Sequence, residues 1–165
     1  MRTGALRPEE GQMQTGELTY GAAPEMVAEL VSLAWSTFVG SEIGRVDDEV
    51  ATTDVMCSSI SIHGPWSATL LLYCQQQVAT ASTASVLGMD PAEVEQGDVR
   101  DIMGELANII GGNLKGAVSD DNAAWKLSLP VVSDGMQTVP GSKLTTQLAF
   151  IGPWGLIGCQ IREHE

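Results

Sequence analysis

Residues 98–118 (Asp98-Val99-Arg100-Asp101-Ile102-Met103-Gly104-Glu105-Leu106-Ala107-Asn108-Ile109-Ile110-Gly111-Gly112-Asn113-Leu114-Lys115-Gly116-Ala117-Val118) constrain this chain more than any other stretch. Their spacing predicts one amphipathic helix. At about 100° per residue, Asp101, Glu105, Asn108, Gly112 and Lys115 fall within roughly 40° of a single line. Val99, Met103, Leu106, Ile110, Leu114 and Ala117 run opposite and form the expected core stripe. Asn113 lies about 120° from the polar line and is expected to be a buried, hydrogen-bonded structural residue. Gly104, Gly111, Gly112 and Gly116 fall on the polar half. Each costs roughly 1 kcal/mol against Ala in a helix interior. A face that accepts this cost is one that something approaches closely, or else an ordinary solvated face. Asp98 is the expected cap of this helix. Asp101 would then stand at the third helical position, where a carboxylate can simply complement the helix dipole.

The chain has 165 residues, enough for one domain with a sizeable core. We expect a mobile polar tail over 1–17 and a single domain over 18–165. A net charge of −13, with only eight Lys and Arg, argues against nucleic acid or an anionic membrane as a partner. No apolar run is long enough to span a bilayer, and the start has no signal-peptide pattern. Cys57, Cys74 and Cys159 are unpaired by spacing, which fits reduced thiols and a cytoplasmic location. His63 and His164 lie far from any Cys or carboxylate pair at ligand spacing, so no metal or other cofactor is expected on the chain itself.

Pro24 opens a helix expected to run to about Phe38, with Val27, Leu30, Val31, Ala34 and Phe38 as its apolar stripe and Gly40 as its stop. Strand signals follow over 51–62. Trp66 to Tyr73 reads as a strand buried on both faces, and Gln76 to Leu87 as a weaker helix. Asp90-Pro91-x-Glu93 starts a short capped turn. Strands are expected at Trp125 to Val132, Lys143 to Ile151 and Gly155 to Ile161. Ile62-His63-Gly64-Pro65-Trp66 and Ile151-Gly152-Pro153-Trp154 share a Gly-Pro-Trp phrase. Each half thus reads as a helix followed by a hairpin turned at that phrase. The expected fold is α/β (α+β): an antiparallel sheet of two related helix–hairpin halves, with long helices packed on one face.

Several chemistries do not fit the polar face. Asp101 and Glu105 point the same way from one helical turn, so they cannot flank a glycosidic bond from two sides. A di-iron site needs Glu-x-x-His, and the helices hold no His. No Ser or Cys stands in a recognisable nucleophile motif. Gly111-Gly112-Asn113 is mid-helix and lacks the strand that precedes a phosphate-binding loop. Asp120-Asp121 is more simply a helix-end turn than a cation site. Glu29-x-x-Ser32 in the first helix lacks an amide and is assigned no site. What remains is an acid and an amide presented outward from a helix. A non-catalytic docking face and a merely solvated face of a structural domain remain as alternatives.

The run Asp101-x-x-x-Glu105-x-x-Asn108, followed by Ile109-Ile110-Gly111-Gly112-Asn113-x-Lys115, resembles the signature of the CheC/CheX/FliY chemotaxis phosphatases. One such helix makes it most similar to the single-site CheX branch. That family's pattern ends on a downstream proline. Here it is Pro130, one residue short of the usual spacing. The resemblance implies a protein phosphatase acting on the aspartyl phosphate of a CheY-type response regulator. Asn108 would orient the attacking water and Glu105 would anchor the regulator's active-site lysine. Mg2+ would be held by the partner, not by this chain. Asp101, Gly104, Gly112 and Lys115 would support the site or touch the partner, and the protein would be a homodimer.

Overall fold

The computed structural model describes residues 20–120 and 124–165, so the tail expected over 1–17 lies outside the described residues, as does Asp121. Two hairpins carry the sheet. The first joins β2 (Val55–His63) to β3 (Ala68–Gln75), and the second joins β6 (Ser142–Gly152) to β7 (Gly155–His164). Pro153 and Trp154 make the tight turn between the paired residues Gly152 and Gly155. Three short strands complete it: β1 (Gly44–Val46), β4 (Lys126–Leu127) and β5 (Val131–Asp134). All pairings are antiparallel, in the order β1-β6-β7-β3-β2-β4, with β5 also on β2.

This order gives physical form to the two related halves. The hairpins meet through their second strands, β3 against β7. Each half then lends its short strands to the other: β1 extends the second hairpin, while β4 and β5 extend the first. The centre, β3, is buried on both faces from Ala68 to Cys74, as its continuous apolar run predicts. Exclusion from water pushes the thiols of Cys74 and Cys159 up to about 12, and raises that of Cys57, so none is a thiolate nucleophile near neutral pH.

The helices α1 (Pro24–Ala34), α2 (Gln76–Leu87) and α3 (Gln96–Val118) cover one face of the sheet. Pro24 occupies the first turn of α1. A π-helical turn, Trp35–Val39, continues it to Gly40, whose φ of 88° ends the helix in the left-handed region. Alternate residues Met56, Ile60 and Ile62 of β2, Leu70 and Leu72 of β3, and Ile157, Cys159 and Ile161 of β7 form the main core with these helices. The opposite face is closed over Cys57, Leu71, Tyr73 and Ala149 by Val50, Met136 and Val139 from loops. Asp120 accepts from the Tyr20 hydroxyl (2.9 Å) and from the Trp125 indole (3.3 Å), tying the chain entering α1 to the end of α3. Its helix-end role is the one expected.

Four expectations need correction. α3 starts at Gln96, not after Asp98. Glu95 is the cap residue, and Asp98 sits at the third helical position, where Oδ2 accepts from the Glu95 backbone N–H at 3.2 Å. Asp101 therefore lies in the second turn, beyond the unpaired amide groups a capping carboxylate would serve. The strand expected over 125–132 is two pieces, because Pro130 has no N–H to offer a ladder. Ser128 instead bonds Ser61 through both its backbone (2.8 Å) and its hydroxyl (2.9 Å). Ala117 is exposed, since Leu114 and Val118 make the core contact of the last turns of α3. Asn113 is also exposed.

The glycines of α3 divide by role. A Cβ on Gly111 would come within 2.5 Å of Ile60 Cγ2, and one on Gly104 within 3.3 Å of Val132 Cγ2. These two let the helix settle directly onto β2 and β5. Gly112 and Gly116 are exposed and would meet nothing within 4 Å. The effects of Ala should therefore have opposite signs. Gly111→Ala forces a methyl against stiff, fully buried Ile60, an overpacking loss of about 1–3 kcal/mol that exceeds the roughly 1 kcal/mol gained in helix propensity. Gly112→Ala keeps only the gain and should raise the Tm by about 2–4 °C. Thermal denaturation of the two variants checks this, and equal shifts would refute the division.

Candidate active site on the third helix

α3 crosses β2 with β5 at its flank, and that placement sorts its side chains. Val99, Met103, Leu106, Ala107, Ile110, Leu114 and Val118 are buried beneath it. Asp101, Glu105 and Gly112 are exposed, while Asn108 and Lys115 are half-buried. The structure thus brings Asp101, Glu105, Asn108, Gly112 and Lys115 onto one solvent-facing stripe. Gly104 does not belong to it. Its backbone is buried against Pro130 and Val132, so the close neighbour it admits is the protein's own edge strand and not an outside partner.

Among the described residues, no hydrogen bond or ion pair engages the side chains of Asp101, Glu105 or Asn108. The described ion pair is Arg100 Nη2 to Asp134 Oδ2, at 3.1 Å. Asp101 and Glu105 are like charges at i and i+4, an arrangement that destabilises an isolated helix by a few tenths of a kcal/mol. A stripe with two unneutralised carboxylates and an uncommitted carboxamide is suited to meeting a cation and a polar atom supplied from outside. Lys115, in the last turn of α3, also complements the C-terminal end of the helix dipole.

The stripe is a convex helix surface, which fits a macromolecule's pocket better than a small molecule. A cavity of about 400 Å3 lies at the opposite edge of the sheet, lined by residues including Arg45, Asp47, Glu49 and Gln147. It shares no residue with α3. Among the described residues there is no group of three or more His, Cys, Asp or Glu placed to hold a metal ion. No described helix is long and apolar enough to cross a membrane.

Sequence reasoning marked Pro130 but not the edge strand it leads into. Pro130 would lie 3.8 Å from a Cβ on Gly104, so the fold brings it against α3. Arg100 reaches over the same edge: Nη1 donates to the Val132 carbonyl at 3.1 Å while Nη2 pairs with Asp134. No local signal announces a contact between residues more than thirty positions apart.

Comparison with known proteins bears on the family and the fold. The family model described as "Chemotaxis phosphatase CheX" matches residues 56–150, which is 95 of the 165 residues and includes all of α3. Among solved structures, CheX from Desulfovibrio desulfuricans is 20% identical with a TM-score of 0.67, covering 84% of this chain and 96% of its own. CheX from Vibrio vulnificus is 19% identical with a TM-score of 0.69, covering 84% and 93%. CheX from Borrelia burgdorferi, solved as a CheX–CheY–BeF3–Mg2+ complex, is 14% identical with a TM-score of 0.69, covering 86% and 97%. These low identities establish a common fold, and no curated protein sequence matches the chain. With more than half its length matched by the family model, the chain belongs to the chemotaxis phosphatase CheX family.

Proposed function

We propose that this chemotaxis phosphatase works through the exposed stripe of α3, hydrolysing the aspartyl phosphate of a CheY-type response regulator. The observation that carries the reading is the alignment of Glu105 and Asn108 on one outward face with no hydrogen-bond partner among the described residues. A carboxamide has both a donor and an acceptor group. Asn108 can therefore hold a water between itself and phosphorus, in line with the phosphorus–oxygen bond to the aspartate that breaks. It need not remove a proton, because a loose phosphoryl transition state demands position and charge stabilisation more than a strong base. Glu105 reaches for the regulator's active-site lysine and holds the two proteins in register. Mg2+ resides in the regulator's acidic pocket and neutralises charge on the phosphoryl oxygens. The relative solved with CheY, BeF3 and Mg2+ supports this choice of partner. Asp101 adds negative charge near that lysine, and Gly112 leaves room for the pocket's rim. The protein acts in the cytoplasm as a homodimer, as its branch of the family suggests.

The direct test is the phosphate lifetime of purified phosphorylated receiver domains with and without the protein. Acceleration is expected. A protein that only docks would bind the phosphorylated form and leave the lifetime unchanged. Asn108→Ala should lower kcat by about 100-fold or more, with a stability change within about 0.5 kcal/mol because the side chain is only half-buried and unpaired. Wild-type turnover by this variant would remove its role.

Glu105→Gln preserves shape and deletes charge. It should lower kcat/KM at least about tenfold, because the regulator's lysine would be desolvated without its counter-ion. Steady-state kinetics at low and high salt measure this. Unchanged kinetics under both conditions would exclude the ion pair.

Gly112→Ala separates close approach from mere exposure. The added methyl should obstruct docking, so activity falls although the Tm rises. A more stable and fully active variant would mean that no partner closes over this turn.

A further inference from the structure

We propose that Arg100 is a positioning residue for this site, acting on Asn108 through the edge segment 130–134. The inference rests on the phosphatase reading above. Side chains of a helix lean toward its N-terminus and cover the turn before their own Cα. Asn108 therefore leans over the turn that contains Gly104. That turn has no side chain of its own, and its surface is flanked by Pro130 and Val132, 3.8 and 3.3 Å from where a Cβ on Gly104 would stand. The edge segment thus walls the turn over which Asn108 leans. Asn108 is half-buried while Asp101 and Glu105, on the same stripe, are exposed, which is consistent with a neighbour on that side.

This wall needs a fastening. β5 is a four-residue strand at the sheet's margin, laddered to β2. Arg100, one turn before Gly104, supplies it with a guanidinium fork. Nη1 donates to the Val132 carbonyl and Nη2 to Asp134 Oδ2, both at 3.1 Å. Asp134 Oδ1 also accepts from Gln76 Nε2 at 3.3 Å, so the fastening reaches the first turn of α2. The Arg100 and Asp134 side chains are 40% and 59% exposed, and a pair so open adds little to folding. What the fork supplies is geometry. A lysine ammonium is a compact point charge on a flexible stem and does not reproduce the planar two-donor grip.

The test is steady-state turnover of a phosphorylated receiver domain, with melting temperatures measured alongside. Arg100→Ala should lower kcat about tenfold, leave KM within twofold and barely move the Tm. Arg100→Lys should retain the charge yet stay near the Ala value. Pro130→Ala should lose activity similarly. The double variant Arg100→Ala/Pro130→Ala should be no worse than the poorer single variant, since both disturb one wall. Wild-type kcat in Arg100→Ala, full rescue by Lys, or losses that multiply in the double variant would each overturn the proposal. Should Arg100→Ala fail to fold, Arg100→Met keeps the aliphatic stem and removes both donors of the fork, and wild-type kcat there would be equally decisive against it. Asn108→Ala tells the two readings apart. Loss of activity there with an unaffected Arg100→Ala rejects only the positioning role. Full activity of Asn108→Ala rejects the phosphatase reading of the stripe, and the positioning role with it.

Discussion

The close seat of α3 on the sheet is the contact on which the rest of this molecule depends. At Gly111 the helix backbone lies so near Ile60 that no side chain fits between them, and at Gly104 it lies nearly as close to Val132. Dense packing of this kind leaves few alternative placements, because interiors resist both voids and extra methylenes. It sets which way the helix is rotated. That rotation decides that Met103, Leu106 and Ile110 enter the core, and that Glu105 and Gly112 face water. A helix held by larger side chains would stand farther from the edge strand, and Pro130 would not reach its flank.

The functional face follows from the same seat. An open helix surface encloses nothing, so chemistry performed there needs a pocket brought by another molecule. On the function proposed above, the partner would supply the metal, the phosphoryl group and the exclusion of water, while this chain would supply an acid, an amide and the position of both. Such a division would suit a chain of a phosphatase family with only eight Lys and Arg. It also explains the uncompensated carboxylates. Asp101 and Glu105 repel each other weakly in the free protein, and a lysine from outside would relieve both.

Much of this was legible before any coordinates. α2 runs from Gln76 to Leu87 as expected, Gly40 stops the first helix, and the Gly-Pro-Trp phrases turn both hairpins. Periodicity and turn chemistry are local properties, so local reading recovers them. The misreadings share one cause. Asp98 reads as the cap by residue type, whereas Glu95 begins the helix and Asp98 serves as the capping-box partner three residues on. Angle alone puts Asn113 and Ala117 toward the core, yet both are exposed while Leu114 and Val118 carry the buried stripe in the same turns. A helical wheel gives directions and not the extent of whatever lies in each direction.

From the sequence by itself came the amphipathic helix, the acid–amide stripe on its outer side and the number and order of the main elements. These follow from a 3.6-residue period and from residues whose preferences act within a few positions. The tertiary structure alone decided what the glycines were for. Four of them looked alike on one face, but Gly104 and Gly111 admit the protein's own sheet while Gly112 and Gly116 remain open to solvent. It also decided that Pro130, Val132 and Asp134 stand beside Arg100 and Gly104. Contacts across such separations arise from how helix and sheet pack, and no short-range preference encodes which distant strand a helix face will meet.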